Sequence, residues 1–325
     1  MLWCFVSNSH HFSCFHFLLS SHAFTCWLDD ALVFLLVVFA GGHVALLLGM
    51  PSLVGEIIMG FLLGPPLANF VPYPAAFVLF GDIGIILLLV QAGIDLDIAQ
   101  LKVTGVRSVA IAFAGAFMAL LVGMGIAFST KAVSWQAAVC LGAVFSPTSF
   151  GVASNALILG KVINTPVGQI IVAAAVIDDV IALVILSVVQ VLVDGADTIS
   201  DYFIPMISAV CYLGVLGYVA IVWMPTIVEK WILPKFPEFL RKSVAFLLLM
   251  LLIMGYMPLM YFSKANYLTG AFLAGLSFNQ IPSIHDSFMQ YTKNTMAWLL
   301  RIFFAASIGF QVRTYICIVS LDCST

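Results

Sequence analysis

Asp178 and Asp179 are adjacent carboxylates near the middle of an apolar stretch, Val167 to Val193, with eleven uncharged residues before them and fourteen after. An ionised side chain at bilayer depth costs roughly 2.5 to 3.5 kcal/mol on insertion scales, so two together need water, a cation, a proton or a basic partner. The chemistry such a pair supports is reversible binding of a cation or a proton. A second polar group lies one stretch earlier, in WQAAVCLGAVFSPTSFGVASNALI, where Ser146, Pro147, Thr148 and Ser149 interrupt apolar sequence. Pro147 has no amide hydrogen and its ring clashes with the carbonyl four residues back, at Ala143, so a helix must kink or unwind there. Inside a bilayer, backbone groups freed in this way survive only where protein or a water-filled cavity satisfies them. The hydroxyls of Ser146, Thr148 and Ser149 beside loose carbonyls form a hard-oxygen cage suited to a small cation. The plainer reading is a proline kink whose Ser and Thr bond their own backbone. Two consecutive antiparallel spans bring both motifs to similar depth. Neighbouring helical residues point about 100° apart, so one carboxylate faces the break and the other faces another wall.

The elements that must position these groups are membrane helices. The chain is 63% hydrophobic and 8% charged, against roughly 25% charged in soluble domains. It is all-α and polytopic, and its small, scattered net charge of −3 gives nucleic acid no footprint. Apolar runs broken by Pro, Gly and charge predict ten spans, at 28–48, 52–68, 77–94, 106–129, 135–158, 167–193, 202–224, 243–262, 265–281 and 295–312. Loops after the third, fifth, seventh and ninth spans hold Lys102, Arg107, Lys161, Lys230, Lys235, Arg241, Lys242 and Lys293, whereas the opposite side holds Lys131, Lys264 and Arg313. The positive-inside rule then puts the N-terminus outside or in a lumen. Residues 1–27, with four His and three Cys, read as a leader outside the membrane domain, and 313–325 as an atypical tail. No cysteine spacing supports a disulfide framework or a zinc site. No cofactor or metal beyond a transported cation is called for, and no nucleophile–base pair inside the spans supports an enzyme.

Other membrane polar residues have quieter readings. Glu56 is expected in the first turn of its helix, where the helix dipole favours an acid. Asp82 and Gln91 line a polar path or form a satisfied interhelical hydrogen bond, and His43 is expected to be a buried structural histidine.

An internal repeat emerges at an offset of 215 to 216. VGEIIMGFLLG (Val54 to Gly64) resembles LTGAFLAGLSF (Leu268 to Phe278), pairing Gly55 with Gly270 and Gly60 with Gly275. LLLVQAGIDL (Leu87 to Leu96) resembles FFAASIGFQV (Phe303 to Val312), pairing Gly93 with Gly309. Matching helices start on opposite sides of the membrane, which makes the repeat inverted, as in many secondary transporters. The first copy is expected at 28–193 with six helices, a linker helix at 202–224, and an incomplete second copy at 243–312. Counterparts of the fourth to sixth helices are expected beyond Thr325.

A GE…G..LGP helix (Gly55, Glu56, Gly60, Gly64, Pro65), GDIGIILLLVQAGIDLD, the broken SPTSFGVA and AAVIDDVIAL, in this order, resemble the monovalent cation:proton antiporter-2 family, including its Kef-like and NapA-like exchangers. The resemblance covers about residues 30 to 312. It implies an inverted-repeat cation/proton antiporter fold, with about ten of roughly thirteen helices present. It implies a homodimer, crossed broken helices at the ion site, and competition between cation and proton at Asp178 and Asp179. A double aspartate resembles the sodium/proton branch; a single acid preceded by Gln resembles potassium-efflux relatives. The second crossed helix, and a Lys that pairs with the first aspartate in the family, would lie beyond residue 312. Arg301 is a candidate substitute for that Lys. The function expected is exchange of sodium, or potassium, for protons across a lipid bilayer by alternating access. Two alternatives stand beside it: a non-transporting truncated product or regulatory fragment of such an exchanger, and a sodium-coupled solute symporter of similar fold.

Overall fold

The computed structural model describes residues 21–65, 67–71, 73–96, 98–129, 134–148, 150–194, 199–281, 288 and 301–311. Among them the helices are α1 (Ser21–Leu47), α2 (Ser52–Leu63), α3 (Pro74–Asp95), α4 (Ile98–Ser129), α5 (Trp135–Phe145), α6 (Phe150–Leu159), α7 (Pro166–Asp194), α8 (Ile199–Val222), α9 (Met224–Ile227), α10 (Glu238–Phe262), α11 (Tyr267–Leu276) and α12 (Arg301–Gln311). No strand occurs among the described residues. Single π and 3-10 turns, Val228–Ile232 and Leu233–Lys235, extend α8 and α9 into one apolar run, Phe203–Lys235. The span expected at 202–224 is therefore longer than its hydropathy suggested.

Among the described residues six stretches are long and apolar enough to cross a bilayer: Asp29–Leu47, Pro74–Asp95, Val103–Ser129, Pro166–Val193, Phe203–Lys235 and Leu240–Phe262. Three other expected spans need correction. α2 has 12 residues and α11 has 10. At about 1.5 Å per residue neither reaches across a hydrocarbon core of roughly 30 Å. The span at 135–158 is two half-helices, α5 and α6, on either side of Pro147. Of 295–312 only α12 is described. The physical reason is that apolar composition reports burial, not length. Every residue of α11 from Leu268 to Leu276 is buried in protein, and α2 stops where Gly64 caps it ahead of Pro65. α4 bends at Gly105, which takes φ 55° and ψ −141°, values open to glycine and strained for other residues.

The chain divides into two compact units, one of residues 1–85 with 292–325 and one of residues 86–291. The first holds α1, α2, the start of α3 and α12 around Phe34, Val38, Val71, Phe77, Ile302 and Ala306. Phe34 and Phe77 meet edge to face at 5.3 Å, a favoured aromatic geometry. The second holds the end of α3 and α4 to α11.

Within each unit, short glycine helices cross their neighbours backbone to backbone. In the first unit Gly55 lies on the Gly41 carbonyl, Gly60 on the backbone of Ala306, and Gly309 on Ile57, Gly60 and Phe61. In the second, Gly270 lies on the Tyr256 carbonyl, Gly275 on the backbone of Val90, and Gly93 on Phe272, Gly275 and Leu276. Gly41 and Tyr256, Gly55 and Gly270, and Gly60 and Gly275 stand 215 apart, and Val90 and Ala306, and Gly93 and Gly309, stand 216 apart. The repeat seen in sequence is thus a repeat of contacts, and it extends back to α1 and α10.

Two quieter expectations change. Glu56 lies beyond the first turn of α2 and is buried, its carboxylate against Gly42 of α1. His43 is exposed, not buried; its ring bonds the Phe39 carbonyl at 3.0 Å and lies tilted by 54° against the Phe39 ring.

Candidate functional site

α7 is a 29-residue apolar helix. Asp178 and Asp179 sit twelve residues from its start, about 18 Å along the axis. The pair therefore lies well inside the helix and not at an end. α5 reaches Phe145, where the Ser146 amide turns back to the Ala143 carbonyl at 3.3 Å. Pro147 cannot donate to continue the ladder, and helix resumes only at Phe150. Among the described residues Ser146, Pro147 and Thr148 form the bridge; Ser149 lies outside them.

The break and the acids meet. Thr148 donates twice to one oxygen of Asp178, from its amide and from its hydroxyl, each at 2.8 Å. Asp178 is otherwise buried, at 5% exposure. A backbone amide freed by the helix break and a side-chain hydroxyl thus satisfy a carboxylate that would be costly to bury alone. Ser146 does something different. Its hydroxyl is buried and donates to the Ala116 carbonyl of α4 at 3.2 Å. It ties the break to α4 and does not reach the aspartates.

Asp179 points elsewhere. It is exposed and lines a cavity of about 770 Å³ together with Pro147. The rest of the wall is mostly aliphatic, from α3, α5 and α7, with Gln91, Asp95 and Cys140 supplying most of its other polar groups. The two aspartates therefore differ in surroundings as the 100° helical step requires. Asp178 is anchored to the break, and Asp179 is reached from the cavity. Gln91 takes its place on the cavity wall and donates to Asp95 at 3.2 Å within α3. Asp82, the other polar residue of that helix singled out from sequence, is exposed and belongs to the other compact unit. The side chain of Arg301 lies outside the described residues.

Three residues carry the site without having been picked from sequence. Asp95 and Cys140 line the cavity. Asn279, just past α11, donates its amide to the Ile94 carbonyl at 2.8 Å and to the Leu96 carbonyl, holding the end of α3. Its signal was available: at the repeat offset Asn279 stands where the first copy has Gly64. At the other end of α11, Asn266 caps the helix by accepting from the Leu268 amide. It also binds α7, through its amide to the Ser187 hydroxyl and through its side chain to Gln190.

Helices of this kind, short or broken and crossing on glycine, with mid-span acids beside a helix break, define a secondary transporter. The chain matches the family described as sodium/hydrogen exchanger, transmembrane, over residues 32–319, and it belongs to that family. It is 26% identical over 279 residues to a Na(+)/H(+) antiporter of Enterococcus hirae, covering 84% of this chain and 70% of that one. It is 27% identical over 289 residues to the probable Na(+)/H(+) antiporter GerT of Bacillus cereus, covering 87% and 73%. Its fold is similar to that of the sodium proton antiporter MjNhaP1 from Methanocaldococcus jannaschii, at a TM-score of 0.54 and 16% identity, over 89% of this chain and 67% of that one. The protein is an integral, multi-pass cation/proton antiporter, and so a transporter and not an enzyme.

Proposed function

We propose that the chain exchanges sodium for protons by alternating access, with Asp179 and Asp178 as the exchange site. The observation that carries this reading is the division of labour in the pair. Thr148 fixes one oxygen of Asp178 to the helix break, while Asp179 stands on the wall of a cavity. A cation entering that cavity loses water and needs replacement oxygens. Asp179, the second oxygen of Asp178 and carbonyls of the Ser146–Thr148 bridge offer them. Ser146 acts through α4, holding the bridge in place. A carboxylate binds a proton or a cation through the same oxygens, so the two compete and their fluxes are coupled.

Sodium is favoured over potassium because Asp178–Asp179 is a double acid and because the relatives from Enterococcus hirae and Bacillus cereus carry sodium in their names. Potassium remains the competing cation, since the Bacillus cereus relative GerN is called a Na(+)/H(+)-K(+) antiporter. The resemblance adds a homodimer, and the loop charges add an outside or lumenal N-terminus. The domain reading that accompanies this function is a first copy at 28–193, a linker at 202–224 and a second copy at 243–312.

The test is sodium-driven proton movement in proteoliposomes that hold the full-length polypeptide. Asp179→Asn, recovered at wild-type level, is expected to lose exchange. Exchange at the wild-type rate in that variant overturns the assignment. Replacing sodium with potassium at equal concentration reads selectivity in the same vesicles.

A further inference from the structure

We propose that Asp95 is a second carboxylate of the cation path, a recruiting group that holds the incoming monovalent cation in the cavity before it reaches Asp179. The inference rests on the exchange reading above. Asp95 and Asp179 line one cavity, Asp95 from the end of α3 and Asp179 from the middle of α7. The remaining wall is mostly aliphatic, with low-dielectric surfaces that screen a charge poorly, so a carboxylate there acts on a cation over a longer reach than it would in open water.

Asp95 is the last residue of α3, and three features fix it there. Gly93 and Gly275 seat the end of α3 directly on the backbone of α11. Ile94 and Leu96 on either side are buried, and Asn279 takes both of their carbonyls. Backbone locked on both sides leaves the exposed Asp95 side chain directed to the cavity, where the Gln91 amide donates to one of its oxygens. Asn279 is a positioning residue in this arrangement.

Sodium dependence of exchange in proteoliposomes tests the role. Asp95→Asn is expected to raise the half-saturating sodium concentration about five- to tenfold and to leave the maximal rate within about twofold, as loss of electrostatic recruitment predicts. Asp95→Glu, which restores the charge, is expected to return half-saturation to near the wild-type value. A purely structural Asp95 lowers the amount of folded protein and the maximal rate, and leaves half-saturation alone; that result overturns the proposal. A second measurement does not depend on the Asp95 variants folding. In a chain that keeps Cys140 as its sole cysteine and carries Asp179→Asn, a cationic methanethiosulfonate is expected to modify Cys140 several-fold faster than an anionic one, because Cys140 lines the same cavity. Equal rates overturn it. Lost exchange in Asp179→Asn with wild-type half-saturation in Asp95→Asn removes Asp95 alone. Exchange that survives in Asp179→Asn removes the exchange site itself.

Discussion

The crossing of α2 on α12 and the crossing of α11 on α3 are built alike and end differently. Each uses a glycine from either helix, Gly60 with Gly309 and Gly275 with Gly93, so that backbones touch with no side chain between. Close approach through small residues is how membrane helices gain packing where lipid offers no hydrophobic drive. Past the crossing the copies diverge. In the first, Gly64 packs on the ring of Phe310 and brings no polar group. In the second, the same position is Asn279, which clamps the carbonyls around Asp95. The converse holds before the crossing, where the first copy has Glu56 on Gly42 and the second has Ala271 and Met257 at those positions. A duplicated scaffold supplies the packing; single substitutions in one copy supply the polar chemistry.

The comparison can be broken most decisively at the crossings. Gly60→Ala and Gly275→Ala each put a Cβ within 3.0 Å of backbone that cannot yield cheaply. Each is expected to destabilise by about 1 to 3 kcal/mol, at the cost typical of overpacking, read as a matched fall in melting temperature in detergent. If one is tolerated and the other is not, the two crossings are not equivalent. Next in size is Asn279→Gly, which gives the second copy the residue of the first. Loss of its two hydrogen bonds is expected to cost about 1 to 2 kcal/mol and to raise half-saturating sodium, with exchange itself retained. Gly42→Ala sharpens the other divergence. Its Cβ would lie 2.9 Å from a Glu56 oxygen, so the loss of stability is expected to shrink in the Gly42→Ala, Glu56→Ala double variant, with a coupling of about 1 kcal/mol. The smallest effect has the opposite sign. Gly255 in α10 faces open space, and Gly255→Ala is expected to stabilise by about 0.5 to 1 kcal/mol through helix propensity.

The fold was readable where one physical signal dominates. Six of the ten spans read from sequence are bilayer-length helices among the described residues, and the offset of 215 to 216 announces the repeated crossings. Pro147 announces a broken helix. Length was misjudged for α11, because a helix buried in protein looks as apolar as one buried in lipid, and for α2, because the stop at Gly64 and Pro65 was read through. His43 was misjudged because an apolar run does not say which of its faces is covered, and its ring lies on an open one.

At the site, sequence alone determined the kind of chemistry. Two acids in mid-helix need water, a cation, a proton or a basic partner, and a proline-broken neighbour needs its freed backbone groups satisfied, because burying either without compensation is costly. Only the tertiary structure decided which group touches which. Thr148 and not Ser146 bonds Asp178, Asp179 is left to the cavity, and Asp95 joins the cavity through Asn279 from 184 residues away in the chain. Contacts between distant residues depend on how helices cross and rotate, and a one-dimensional pattern of residue types carries the energy of each group but not its neighbours.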